Sequence, residues 1–266
     1  MHEIKEKLKS ILEKLGLLRL INTIKLCFTG NIFLGMFRFY FKPKKEIVLI
    51  TGCMRTGTTL LKALMAEADD VSHLSEVSFG RYAAAHAYFA LFSIYSLSEK
   101  RIIVLKQPVW FDCYEDVPFE RQFLRIKIII TVRHPYDTVL SLKNMPPERT
   151  YTELVEYWSR TMDHILSDQR LLSHDVLFLK YEEVVKNPLT ETERIFKFIG
   201  SSRSEGVSSY GTSKFEWKWG KDDGGEKIKT GKVQEIKNAS HKPEVSELLK
   251  NNKEILELAK KFNYSI

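Results

Sequence analysis

The hydrophobic pattern divides the chain into short apolar runs separated by longer amphipathic stretches. The runs are Ile47 to Ile50, Arg101 to Leu105 after its leading cation, Ile126 to Val132, and Val176 to Leu179. Each is short for a helix and lacks the alternation of a strand with one wet face, so each reads as a strand buried on both sides. Between them apolar positions recur at helical spacing, predicting helices over 58–68, 79–97, 136–144, 151–172 and 190–199. Val71 to Glu76 reads as a short extended return to the sheet, and the leucines and isoleucines after Pro243 predict one or two closing helices. Strands alternating with helices predict an α/β fold, a three-layer parallel sheet with helices on both faces. Ligands of such sheets bind at the carboxyl ends of strands, where Arg55, Lys106, Arg133, Lys180 and Tyr181 fall.

Residues 1–45 follow another pattern and are set apart from a catalytic domain over 46–266. Ile4, Leu8, Ile11, Leu12 and Leu15 mark a basic amphipathic helix with Lys5, Lys7, Lys9 and Lys14 between them. The stretch from Leu17 to Phe41 is richer in apolar and aromatic residues, but its longest uncharged run, Leu26 to Phe37, is too short to span a bilayer as a straight helix. The first expectation is a helix pair packed on the rest of the chain; the second is a helix lying in the membrane surface. Residues 201–231 turn to Ser, Gly, Lys and Asp and read as a long loop of the kind that forms lids.

Composition changes this picture little. The chain has 266 residues, 44% hydrophobic and 28% charged, enough for one α/β domain with an appendage. Its net charge of +7 suits anionic ligands or surfaces. Cys27, Cys53 and Cys113 are few and widely spaced, which points to a reducing compartment. We therefore expect a cytoplasmic protein, with peripheral membrane contact through residues 1–45 as an added expectation. The histidines lack metal-ligand spacing, so no metal is expected, and no nucleic-acid motif is present.

Chemistry concentrates after the first strand, in Thr51-Gly52-Cys53-Met54-Arg55-Thr56-Gly57-Thr58-Thr59-Leu60. Strand, glycine-containing loop and helix make a phosphate cradle of backbone amides at a positive helix end. Gly52 and Gly57 match the glycine spacing of the nucleotide triphosphatase loop, but Thr58 stands where that loop has its lysine. A cation lies inside the loop instead, at Arg55. The pattern Arg-x-Gly-Thr-Thr-x-Leu resembles the 5′-phosphosulfate loop of sulfotransferases that use 3′-phosphoadenosine 5′-phosphosulfate (PAPS).

Three further segments extend the resemblance. Arg133-His134-Pro135-Tyr136-Asp137-Thr138-Val139-Leu140-Ser141 is similar to the family's 3′-phosphate motif, which implies that Arg133 and Ser141 hold that phosphate. Tyr181-Glu182-Glu183 followed by Val184, Val185 and Pro188 resembles the segment that places a tyrosine by the adenine. Lys106-Gln107-Pro108 resembles the family's strand-end lysine, which implies a cation for the leaving oxygen. Pro108 stands where the cytosolic branch has its catalytic histidine. The candidate base is therefore Glu76, 21 positions after Arg55, as in the tyrosylprotein and carbohydrate branches.

The resemblance thus implies catalytic roles for Glu76, Arg55 and Lys106. It implies cofactor contacts from Arg55, Thr56, Gly57, Thr58, Thr59, Leu60, Arg133, Ser141 and Tyr181. A looser match, Gly224 to Lys232, adds Lys229, Thr230 and Lys232 as a lid over the 3′-phosphate. The expected cofactor is PAPS, with 3′-phosphoadenosine 5′-phosphate (PAP) as product and a hydroxyl acceptor on a carbohydrate, glycolipid, tyrosine or small alcohol. The alternatives are a nucleotide kinase or triphosphatase with a degenerate loop, and a non-catalytic nucleotide-binding member of the family.

Overall fold

A computed structural model describes residues 17–29, 31–74, 86–108, 126–145, 148–172, 174–211, 228–234 and 242–266. Helices α1 (Leu17–Thr29) and α2 (Ile32–Phe41) precede strand β1 (Glu46–Gly52). Helix α3 (Thr58–Met65) follows the loop, and α4 (Ala87–Ser96) leads to β2 (Ile102–Pro108). Next come β3 (Ile126–Val132), α5 (Pro135–Lys143), α6 (Tyr151–Ser167), α7 (Gln169–Leu172) and β4 (Asp175–Lys180). Helices α8 (Tyr181–Lys186), α9 (Pro188–Ile199), α10 (Pro243–Lys250) and α11 (Lys253–Lys261) complete the order.

The strands form one parallel sheet in the order β2-β1-β3-β4. Alternate residues of β1 feed two cores. Ile47 and Leu49 pack with α4, α5, α6, α10 and α11, while Val48 and Ile50 pack with α3, α8 and α9. This two-sided burial is why the strands are continuous apolar runs, and it makes the three-layer α/β sandwich expected from them. β1 is central, with β2 on one side and β3 on the other. The chain leaves β1 into α3 on one face of the sheet and leaves β3 into α5 on the other, so a crevice opens between the carboxyl ends of these two strands.

Local chemistry sets several boundaries away from where periodicity put them. The long helix predicted over 151–172 starts at a capping box, with Thr150 Oγ1 accepting from Glu153 N at 3.2 Å and Glu153 Oε2 accepting from Thr150 N at 2.7 Å. It is interrupted at Asp168, whose extended ψ of 99° ends α6 before α7 begins. The helix predicted over 79–97 is seen as Ala87–Ser96, after an extended His86. Its first residues, the helix predicted over 4–15 and Glu76 lie outside the described residues. Short α8 was not expected. It begins on Tyr181 directly from β4 and ends at Asn187, before Pro188 opens α9.

Helix α2 is held on α4 by close backbone approach. A Cβ at Gly35 would overlap the Phe92 carbonyl. Arg38 donates from Nη1 to Ser96 O at 2.7 Å and pairs through Nη2 with Glu99 at 2.8 Å.

Candidate active site

The loop from Gly52 to Gly57 is shaped by backbone conformations that few residues adopt. Gly57 has φ 87° and caps the start of α3, and Arg55, despite its side chain, has φ 69°. The second value is the kind of strain that accumulates at functional loops. At Gly57 a side chain is also excluded by contact, since a Cβ would run into the edge of the Tyr181 ring. No side chain caps α3 among the described residues. Its first amides are therefore donors at the positive end of an eight-residue helix, suited to an anion.

The cleft beside this loop is lined by Arg55, Gly57, Thr58, Thr59 and Leu60, by Lys106 from β2, by Arg133 and Ser141 from β3 and α5, and by Tyr181 and Lys232. Strand order explains the convergence. β2 and β3 flank β1, so the residues that end them reach the loop from both sides. Lys106 is buried and donates from Nζ to Thr59 Oγ1 at 2.9 Å. An ammonium from the neighbouring strand thus reaches the loop helix although Thr58 occupies the usual lysine position. Arg55 donates from Nε to Ser141 Oγ at 3.1 Å. Arg133 donates from Nη1 to the Arg55 carbonyl at 3.1 Å and lies over the Tyr181 ring, 4.6 Å from its centroid.

Other expected residues take different places. The Thr56 hydroxyl is buried inside the loop, 2.7 Å from both Cys53 O and Thr131 Oγ1, so it braces the turn and leaves only its backbone to meet a ligand. Lys229 and Thr230 do not line the cleft. Thr230 Oγ1 instead accepts from Gln234 Nε2 at 3.2 Å, and a Ser209–Lys232 bridge joins this turn to the strand-like stretch before it.

Residues that the motifs did not single out also line the cleft: Met54, Met145, Tyr210, Ile228 and Gln234. Tyr210 is buried, and burial followed by the nearby Tyr181 pushes its phenol up to about 12. No local pattern marks it, because it enters the cleft through a loop. Cys53, next to Met54, is fully buried, and burial raises its thiol well above the usual range, so it stays protonated.

Behind the cleft, Glu182 ties three segments together. Its Oε1 accepts from His134 N at 2.8 Å and its Oε2 accepts from the Tyr264 hydroxyl at 2.8 Å. Lys180 Nζ stands 4.7 Å from the centroid of the Tyr264 ring. The backbone beside Arg133 and the helix that starts at Tyr181 are therefore braced from one carboxylate.

The donor set fits a nucleotide bearing two separated phosphate groups. Arg133 Nε is buried without a hydrogen-bond partner among the described residues, a donor left for an anion. Arg55, Lys106, Arg133 and Lys232 put four cations around one cleft with the aliphatic hydroxyls of Thr58, Thr59 and Ser141. No cluster of metal-ligating residues occurs among the described residues.

Comparison with known proteins gives the same direction. A family model described as the sulfotransferase family matches residues 81–205, a span that contains Lys106, Arg133, Ser141 and Tyr181 and begins after the phosphate loop. The sulfotransferase domain of the Synechococcus PCC 7002 olefin synthase shares the fold with a TM-score of 0.51 at 17% identity, over 84% of this chain and 97% of that one. The sulfotransferase domain from the curacin biosynthetic pathway does so with a TM-score of 0.50 at 17% identity, over 84% and 99%. No curated protein sequence matches. Family model and fold point the same way: over residues 81–205 the chain is similar to the sulfotransferase family, and its fold is that of sulfotransferase domains.

Proposed function

We propose that the protein transfers a sulfuryl group from PAPS to a hydroxyl acceptor. The observation that carries this reading is the junction of two motifs in one cleft. The loop of Arg55 and the segment of Arg133 and Ser141, assigned by resemblance to the two phosphate ends of one nucleotide, are hydrogen-bonded to each other.

Roles follow from position. The amides that open α3, with Thr58 and Thr59, suit the 5′-phosphate. Arg133 and Ser141 suit the 3′-phosphate, and Lys232 stands at the cleft beside them. PAPS supplies the sulfuryl group and leaves as PAP. Lys106 and Arg55 stabilise the negative charge that builds toward the leaving phosphate, the kind of preorganised contact that commonly carries most of the rate. Glu76 takes the proton from the acceptor hydroxyl, an assignment that rests on its spacing and on the resemblance. Positioning and charge stabilisation then suffice for an in-line displacement.

Calorimetric titration with PAP, ADP and ATP in the absence of magnesium tests the reading. Preference for PAP by tenfold or more, about 1.4 kcal/mol, is expected. Equal or stronger binding of ATP overturns it. Glu76→Gln should keep PAP affinity and lower turnover of labelled PAPS by about 100-fold or more. Unchanged turnover removes Glu76 as the base.

A further inference from the structure

Helices α1 and α2 turn their apolar stripes away from the protein. In α1 the exposed large apolar side chains are Leu17, Leu20, Ile24 and Phe28, a spacing that places them on one helical face. In α2 they are Phe33, Met36, Phe37, Tyr40 and Phe41, again one face. Phe28 is 88% exposed, Phe33 80% and Phe41 74%. A surface helix of a soluble domain buries such a stripe against its core. Here the opposite face makes the attachment, through Leu26, through Gly35 against Phe92, and through Phe39, whose ring packs edge-on against Tyr95 at 5.2 Å. The arrangement leaves an exposed apolar face on each helix, of the kind that marks an interaction site.

Charge identifies the partner. From Leu17 to Lys45 the sequence has no Asp or Glu, while Arg19, Lys25, Arg38, Lys42, Lys44 and Lys45 supply only positive charge. Lys25, Lys42 and Lys44 are exposed. An aromatic and aliphatic face bordered by the segment's exposed lysines, with Arg38 paired to a carboxylate, Glu99, matches the boundary between acyl chains and anionic headgroups. No single helix among the described residues is long and apolar enough to cross a bilayer, and the two helices meet at 88°. Bent at this angle, each helix can lie in the interface with its apolar face toward the acyl chains.

We propose that α1 and α2 form a docking surface for an anionic lipid bilayer, inserting the Phe28, Phe33, Phe37 and Phe41 side chains below the headgroups. The Thr23 hydroxyl accepts from His86 N at 2.9 Å. This proposal does not depend on the reaction assigned above.

Flotation of the full chain with phosphatidylcholine vesicles, with and without phosphatidylglycerol, provides the test. Binding at least tenfold stronger to the anionic vesicles is expected, falling with added salt. Phe33→Ser with Phe41→Ser should lower that binding by tenfold or more, and Lys42→Glu with Lys44→Glu should remove the anionic preference. Both pairs should unfold thermally at the wild-type temperature, since these side chains are exposed. Three outcomes overturn the proposal: no flotation of the full chain, flotation untouched by the Phe substitutions, or a dimer in sedimentation that those substitutions dissolve without vesicle binding. The first would show the stripe covered by residues 1–16 or by no partner at all, and the last would show it covered by a second copy.

Discussion

Arg55 Nε donates to Ser141 Oγ at 3.1 Å, across 86 positions of sequence. The bond joins the loop after β1 to the helix after β3, so the two proposed phosphate sites share a partner. Ser141→Ala should weaken PAP binding by about 0.5–1.5 kcal/mol, two- to tenfold in calorimetry. Paired with Arg55→Ala in a double-mutant cycle, it should show a coupling of about 0.5 kcal/mol or more. Additive losses would mean that the two residues meet the nucleotide independently.

Gly57→Ala meets two obstacles at once, a φ of 87° and the Tyr181 ring edge. A residue forced into this region costs about 1–3 kcal/mol, so urea unfolding should show a loss of at least that size. PAP binding should fall too, because relief by rotation of the loop displaces the amides that open α3. A variant of wild-type stability and affinity would show that the ring moves aside freely.

Tyr264→Phe removes one of the two groups that hold Glu182. Loss of a hydrogen bond to a carboxylate costs about 1–2 kcal/mol when water partly replaces it, and this loss should appear in the urea midpoint. The effect on PAP should be smaller than that of Ser141→Ala, since Tyr264 acts only through Glu182 and the His134 backbone. Burial, and then the charge of Glu182, raise the Tyr264 phenol above its ordinary value. Its contribution is therefore complete in neutral solution and is lost only in strong alkali.

Tyr210 gives a sharper pH test. Burial raises its phenol to about 12, whereas in the unfolded chain it titrates near its ordinary value of 10.0. A raised folded value for an acid means stability that is fully present below the unfolded value and lost as pH climbs through the folded one. The stability of wild type relative to Tyr210→Phe should therefore fall by about 1–2 kcal/mol between pH 9 and pH 12, judged from paired urea titrations. A difference independent of pH would place the hydroxyl in contact with solvent.

Much of the framework was legible in the chain because it is written in local periods. Ile47 to Ile50 is an unbroken apolar run, and Ile126 to Val132 is one apart from Lys127 and Thr131, since both faces of their strands are covered, and no partner need be known to read that. Gly52 and Gly57 stand out because the loop requires positive φ there. Asp168 and the short helix from Tyr181 escaped notice because a one-residue break and a six-residue helix leave too few turns for a period to show.

By itself the sequence determined which segments are buried strands, where the phosphate loop turns, and that Arg55, Lys106, Arg133 and Ser141 are candidates for one chemistry. Only the tertiary structure decided that they meet. The order β2-β1-β3-β4 puts Lys106 and Arg133 on opposite sides of the same loop, and pairing between strands distant in sequence is not encoded in any single window. Packing likewise turned the Thr56 hydroxyl inward and brought Tyr210 to the cleft. Amphipathic spacing predicts that α1 and α2 each have an apolar stripe. That those stripes face outward depends on which side of each helix Leu26, Gly35 and Phe39 dock against the core, a long-range choice made only in the folded molecule.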